Sequence, residues 1–423
     1  MNQRKVSPGE LPPGVADLFF EPAERKLALE GALRDLFARW GFRPVIPPTF
    51  EYADTLAAEV GMRIAEEMYR FFDRDGRALA LRPDLTIPTA RIAGVKLYDQ
   101  PLPLRFFYVG NVFRYEEPRA GQQREFTQAG VELIGAPGPA ADAEVIALLV
   151  DALRQAGLED FRVTLGQIAF VRGALEGFSL SDGDLAQLHA AIDRKSEEGL
   201  AAVLSRLEGD PRAVRALSAL SSLVGGEEVL AEAEAFAWNE GMRGALAHLR
   251  EVWRRLEQFG VASHVVIDLG QVRGMAYYTG VLFEAFAPGI GFPIASGGRY
   301  DRLIARFGAD LPAVGCAIVV DRLLAAQDHQ RVLPVVGRVD AIFQMCEHAE
   351  CMRLAQLARS WGARVLTDVM GRSPADLLAY AAEQQIPRVV LCKGPGRCHL
   401  VEAGVERSIS AADWEGVVRS WTR

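Results

Sequence analysis

Long apolar runs, a basic excess and an even set of cysteines are all missing from this 423-residue chain, and each absence closes off a class of protein. No uninterrupted apolar stretch reaches the roughly 20 residues that a membrane-crossing helix needs. The opening segment, MNQRKVSPGELPPGV, lacks the apolar core of a secretory signal, so a cytoplasmic location without membrane contact is expected. With 47 Lys and Arg against 55 Asp and Glu, the formal net charge is −8. That balance opposes a surface that wraps nucleic acid. The five cysteines (Cys316, Cys346, Cys351, Cys392, Cys398) are few and odd in number, as in a reducing compartment. Cys346 with Cys351, and Cys392 with Cys398 and His399, fit no common zinc spacing, so no metal and no cofactor are expected. Internal repeats and low-complexity tracts are also lacking. What remains is a chain that is half apolar and a quarter charged, long enough for two or three domains with substantial cores.

The elements alternate between helical and strand periodicity. Leu29, Leu33, Leu36, Phe37 and Trp40 share one helical face in a helix over Ala23–Trp40, with Gly41 as its stop. FRPVIPPTFE reads as an edge strand or connector, and Phe71–Leu81 as a hairpin turning at Asp75-Gly76. After an extended Arg82-Pro83-Asp84, a helix runs through Ala90. Leu104–Tyr115 and Glu125–Ile134 read as long antiparallel strands, and Asp142–Gln155 as an apolar helix closed by Gly157. Residues 177–260 read as a helical insertion. Strands are expected at His264–Asp268, Met275–Phe286 and Ile294–Gly298, and helices at Arg299–Phe307 and Ala317–Ala326 around a GCAIVV strand. Antiparallel runs with surrounding helices define an α+β fold. Residues 1–326 would form the main domain, 327–338 a linker, and 339–423 a small α/β domain with a β-α-β-α-β rhythm and helices at Ala349–Trp361 and Ser373–Gln384.

Residues 111–132, NVFRYEEPRAGQQREFTQAGVE, carry the densest chemistry. In an extended EFTQAGVEL, Gln128, Gly130 and Glu132 share one face. An amide and a carboxylate would then flank a bare position where a small polar ligand could sit. Arg114 precedes a polar loop, in the pattern of a hairpin with an anion-facing arginine. Ser296-Gly297-Gly298 is a strand almost without side chains, which often marks close approach of a ligand or another backbone. Arg273 lies near Tyr277-Tyr278, pairing a guanidinium that can clamp an anion with phenols that can meet an aromatic nitrogen.

PPGVADLFF, LRPDLT, FRYEEPRAG…REFTQAGVELIG, VRGMAYYTG, SGGRYD and GCAIVVDRL occur in the order found in class II histidyl-tRNA synthetases, a resemblance covering roughly residues 8–326. It implies a class II aminoacyl-tRNA synthetase-like domain, with a six- or seven-stranded antiparallel sheet flanked by helices, and a homodimer. It also implies that Asp84, Thr86 and Gln128 hold a histidine α-amino group. Arg273 would face the carboxylate, and Glu132 and Tyr278, with Tyr277 beside it, the imidazole. Arg114 and Arg322 match the two arginines that bind ATP phosphates.

The departures matter more. The usual Gly-Arg-Tyr-Arg-Glu-Phe of motif 2 is replaced by Gly121-Gln122-Gln123-Arg124-Glu125-Phe126, which removes a cation expected near ATP. Ala276 replaces the acid before the tyrosine pair, and Val319-Val320-Asp321-Arg322-Leu323 replaces Gly-Leu-Glu-Arg-Leu. Asp84-Leu85 stands where synthetases show Glu-Gly. Gly371-Arg372-Ser373 resembles a turn of the anticodon-binding domain. Beyond VVLCKG, however, that domain's pattern fades and its charges are balanced, unlike a tRNA-reading surface. The combination, with Arg82-Pro83-Asp84-x-Thr86, resembles the regulatory subunits of ATP phosphoribosyltransferase. That resemblance implies a non-catalytic partner of a short catalytic subunit in the first step of histidine biosynthesis, with L-histidine as feedback effector and no nucleic-acid partner. The rival is an active histidyl-tRNA synthetase with a divergent loop, which histidine-dependent ATP–pyrophosphate exchange would reveal. A tRNA-sensing module is a second rival, requiring a basic C-terminal face.

Overall fold

The computed structural model describes residues 7–57, 66–115, 123–272, 278–332, 338–394, 397–410 and 412–421. The chain divides into two compact units, Met1–Pro334 and Val335–Arg423.

The first unit is built on a nine-stranded sheet. Its strands are β1 (Arg43–Pro44), β5 (Leu104–Phe113), β6 (Glu125–Ile134), β7 (Arg162–Gln167), β8 (Val224–Gly225), β9 (Val265–Asp268), β10 (Val281–Phe286), β11 (Ala295–Arg299) and β12 (Ala313–Val319). The order is β1-β5-β6-β12-β11-β10-β7-β9-β8. The six strands from β5 to β7 pair antiparallel throughout. Parallel pairs occur only toward the edges, β1 with β5 and β7 with β9. A separate small sheet joins β2 (Phe50–Tyr52), β4 (Ala78–Leu81) and β3 (Arg70–Phe72). The proline-rich segment before β2 is tied down by buried Arg82. Its Nη1 donates to the Pro47 carbonyl at 2.8 Å and its Nε to that of Asn111 at 2.7 Å.

Strand alternation gives this sheet two unlike faces. Phe107, Ala129, Val131, Leu133, Val163, Leu165, Phe283, Ala285, Val314 and Ile318 are buried in one apolar cluster with the helices Glu21–Arg39 and Pro139–Gln155. Each fully buried Leu, Val or Phe contributes about 1.5–3 kcal/mol. Both helices end as their sequences indicate. Gly41 and Gly157 have φ of 82°, and the residue after each closes a six-residue turn (Phe42 onto Phe37, Leu158 onto Leu153). These are Schellman stops, which an L side chain would strain.

The segment 177–260 is a chain of short helices whose starts are written in its caps. Ser181, Ser196, Asp210 and Asn239 each accept an amide N–H of the turn that follows, as N-caps do. Its apolar residues Leu188, Leu217, Leu230 and Leu249 join the sheet's own cluster, so this stretch extends the main core. Two expectations change in this unit. The helix after Asp84 spans Thr86–Lys96, because Pro88 sits in its first turn, where proline is tolerated. The segment 299–307 yields only a short 3₁₀ turn, Ile304–Phe307. Arg299 ends β11 with its side chain committed to the core, and the Tyr300 amide bonds to the Ala313 carbonyl.

In the second unit the sheet order is β14-β13-β15-β16-β17, with β13 (Ala341–Gln344), β14 (Val365–Asp368) and β15 (Arg388–Cys392) parallel. The helices Ala349–Ser360 and Pro374–Glu383 lie between them in sequence. An antiparallel hairpin follows, β16 (Cys398–Glu402) and β17 (Val405–Ile409), which the fading motif did not announce. Phe343, Val390 and Leu400 pack in one cluster, and Ile342, Val389 and Leu391 in another. The two faces of this sheet are therefore both buried, as parallel strands require. No described helix is long and apolar enough to cross a membrane.

Candidate functional site

The opposite face of the large sheet carries the polar residues. Register pairs Tyr108 with Gly130, Phe106 with Glu132 and Gly110 with Gln128 across β5 and β6. Gly315 pairs with Glu132 across β12 and β6. Gln128, Gly130 and Glu132 do share a face, but the bare position between them is filled. A Cβ on Gly130 would lie 2.7 Å from the Tyr108 ring and 2.5 Å from the Cys316 carbonyl. The other strand glycines behave the same way. Gly315 lies beneath the Glu132 carboxylate, and a Cβ on Gly298 would lie 2.6 Å from the Tyr278 ring. Glycine here makes room for the site's own side chains, where the sequence had suggested room for a ligand.

Glu132 is 1 % exposed and forms the floor. Tyr108 donates to its Oε1 at 3.0 Å, and the Tyr300 hydroxyl donates to Oε2. Burial pushes this carboxyl up to about 7, although the hydroxyls of Tyr300, Thr86 and Tyr108 pull it down; the nearby charge of Asp84 adds to the rise. Thr86 Oγ1 meets the Tyr108 hydroxyl at 3.4 Å. The half-buried Asp84 accepts the Ile87 amide at 3.2 Å, at the start of the helix that follows. Its carboxyl is also raised by burial, against the pull of Arg114. Gln128 Oε1 accepts the Leu85 amide at 3.2 Å, which docks that helix start on the sheet. Burial raises the Tyr278 phenol, with the charges of Glu284, Glu132 and Asp84 acting in the same direction.

Asp84, Thr86, Gln128, Glu132 and Tyr278 therefore form one group, with Arg114 at its border. The Arg114 Nε donates to the Pro83 carbonyl at 2.8 Å, and its guanidinium lies 5.3 Å from the Phe126 ring centre. Arg322, in the helix Val320–His329, reaches the segment before β11. It donates to the Pro293 carbonyl at 2.8 Å and lies 5.2 Å from the Phe292 ring. Arg273 and Tyr277 lie outside the described residues, as do Gly121 and Gln122 of the motif 2 loop. Two members of the group, Tyr108 and Tyr300, escaped the sequence reading. Only the cross-strand register, which sets Tyr108 opposite Gly130, could have flagged the first. The second stands in SGGRYD, directly after Arg299 and two places beyond the glycines that drew notice.

That arginine belongs elsewhere. Arg299 is 5 % exposed and pairs with fully buried Asp142 at 2.6 Å and with Asp301 at 3.1 Å. The second oxygen of Asp142 meets His248 Nε2 at 2.6 Å. A cavity of about 400 Å³, lined by Gln167, His248, Thr279, Arg299 and Asp301, borders this network. Another, of about 410 Å³, lies near Lys26, Glu30, Asn111, Thr127 and Asp321. Neither contains the Glu132 floor, so the polar group is defined by its chemistry and not by cavity size.

The group gathers two carboxyl groups, an amide and several hydroxyls on one sheet face. Carboxyl groups and an amide oxygen are acceptors that an ammonium group can satisfy. A sequence model of histidyl-tRNA synthetase matches residues 14–323. The fold agrees. The histidyl-tRNA synthetase of Nostoc sp. PCC 7120 superposes with a TM-score of 0.81 over 98 % of this chain and all of that one, at 21 % identity. The chain is thus of the class II histidyl-tRNA synthetase fold. Within that class, it is 42 % identical over 379 residues to the ATP phosphoribosyltransferase regulatory subunit of Moorella thermoacetica, covering 89 % of this chain and 96 % of the relative. A Bacillus halodurans structure described as an ATP phosphoribosyltransferase regulatory subunit/histidyl-tRNA synthetase gives a TM-score of 0.81 at 30 % identity, over 92 % of this chain and all of that one. The chain belongs to the family of ATP phosphoribosyltransferase regulatory subunits.

Proposed function

We propose that this chain is the non-catalytic regulatory subunit of an ATP phosphoribosyltransferase, and that its sheet-face cradle binds L-histidine as the feedback effector. One observation carries the second part. Glu132 is a fully buried carboxyl whose described partners are hydroxyls, and burial holds it at about 7 beside a second carboxyl, Asp84. A free imidazole titrates near 6.5, so either group can carry the proton of an imidazole–carboxyl pair near neutral pH. Asp84, Thr86 and Gln128 supply acceptors for the α-ammonium, and Tyr278 a phenol for the ring. Arg273 would face the carboxylate.

Nothing in this assignment requires chemistry on histidine. Adenylation needs cations free to receive triphosphate, and the motif 2 sequence has lost one of them. A ligand that favours one state of an assembly shifts its population by its differential affinity, typically 1–3 kcal/mol of coupling. The partner would be a short-form catalytic subunit that transfers a phosphoribosyl group to ATP, and the complex would work in the cytoplasm. The chain itself would be a homodimer. Phe50, Tyr52, Phe71 and Phe72 of the small sheet, with the neighbouring Ile46, are exposed, and an apolar patch of that kind suits a subunit contact.

Co-expression with a short ATP phosphoribosyltransferase, co-purification and an activity assay with and without histidine test the proposal. The expected result is a complex active only with this chain and inhibited by histidine. Histidine-dependent ATP–pyrophosphate exchange by the chain alone would contradict it.

A further inference from the structure

The second unit gathers four of the chain's five cysteines onto one face of its sheet. Cys346 follows β13, and Cys351 lies in the first turn of the helix Ala349–Ser360. Cys392 ends β15 and Cys398 opens β16. The sulfurs of Cys346, Cys351 and Cys392 all lie within 4.8 Å of one another. The Cys351 sulfur is 3.4 Å from that of Cys398. Cys392 and Cys398 are direct register partners, so their side chains leave the hairpin on the same side. No disulfide joins any of them.

Three of the four sulfurs form one mutual group, and Cys398 reaches it through Cys351; drawing all four onto one centre suits one chemistry. Four thiolates at about 2.3 Å from a tetrahedral ion stand about 3.8 Å apart. A disulfide would use only two of the four, at about 2.05 Å. An iron–sulfur cubane interposes iron and sulfide between its ligands and needs a wider cradle. We propose that Cys346, Cys351, Cys392 and Cys398 bind a single zinc-class divalent cation that staples the helix start to the β15–β16 hairpin. The sequence argued against this, because Cys392 and Cys398 are spaced more widely than a usual ligand pair. The hairpin closes that gap. His399, the other candidate from the sequence, points to the opposite face and holds Glu406 at 2.7 Å. Cys351 and Cys398 are each 2 % exposed.

The test uses the full chain, purified reduced and titrated with Co²⁺ and with Zn²⁺. One cobalt per chain should bind, with thiolate-to-metal charge transfer and the strong visible bands of a tetrahedral sulfur site, and zinc should displace it. Cys392→Ser and Cys398→Ser should weaken binding by at least about tenfold, since losing even an outer partner of a metal site costs about that much. Cys316→Ser, in β12 of the first unit, should leave stoichiometry and spectrum intact. Where a variant fails to fold, the wild-type titration decides alone. A reduced wild-type chain that takes up no cobalt, or a spectrum lost equally in Cys316→Ser, overturns the proposal.

Discussion

Two of the carboxyl groups buried in the first unit, Asp142 and Glu132, have surroundings that could hardly differ more. Asp142, 0 % exposed, is clasped by the Arg299 guanidinium and by His248. Glu132, 1 % exposed, is held among the described residues by phenols and a threonine hydroxyl, with Asp84 near by. The first is electrically complete and fastens the end of β11 to the helix Pro139–Gln155. The second has been taken out of water with no countercharge among the described residues, which burial alone makes costly. A complete pair is architecture. An incomplete one, on a face where glycines make room for phenols and a carboxyl group, is where an external cation gains most.

Breaking the complete pair should have the largest effect. Arg299→Met leaves Asp142 charged and buried, and about 3–5 kcal/mol of stability should be lost in urea unfolding. Glu132→Gln should act in the opposite sense on the fold, leaving stability equal or higher. It should weaken histidine binding about tenfold to hundredfold by calorimetry, the worth of a charge-assisted hydrogen bond. Tyr300→Phe removes one donor and should weaken histidine binding only a few-fold, matching a net hydrogen bond of about 1 kcal/mol.

Two smaller effects follow the proton. The folded carboxyl of Glu132 keeps its proton to about 7, from an ordinary value of 4.5. Between those values the native state binds more protons than the unfolded one. Stability therefore falls as pH rises through that window, and Glu132→Gln should flatten this slope in pH-resolved unfolding. Histidine binding at about pH 6 should release close to one proton, because both partners are then protonated when apart. The release should pass through zero at about pH 6.8 and become uptake of close to one proton by about pH 8, where both partners are deprotonated when apart, as read from calorimetry in buffers of different ionisation enthalpy.

Local rules made much of the fold legible. Gly41 and Gly157 marked helix ends that the structure closes with left-handed residues, and alternation put Gln128 and Glu132 on one face. Quantities set by pairing between distant strands were not legible. Tyr108 reaches Glu132 only through the β5–β6 register, and Tyr300 only because β11 carries its backbone to Ala313. Arg299 looked like the start of a helix because its commitment to Asp142, 157 residues away in sequence, leaves no local trace. The same limit hid the thiol cluster, whose members come together through a hairpin absent from the sequence reading.

The most direct measurement is histidine inhibition of the reconstituted phosphoribosyltransferase complex, carrying either wild-type or Glu132→Gln regulatory chain. Activation should be equal in both, and half-inhibition should need about tenfold to hundredfold more histidine with Glu132→Gln than with the wild type. A Glu132→Gln complex that histidine inhibits as strongly as the wild type would show that the effector does not bind at this buried carboxyl.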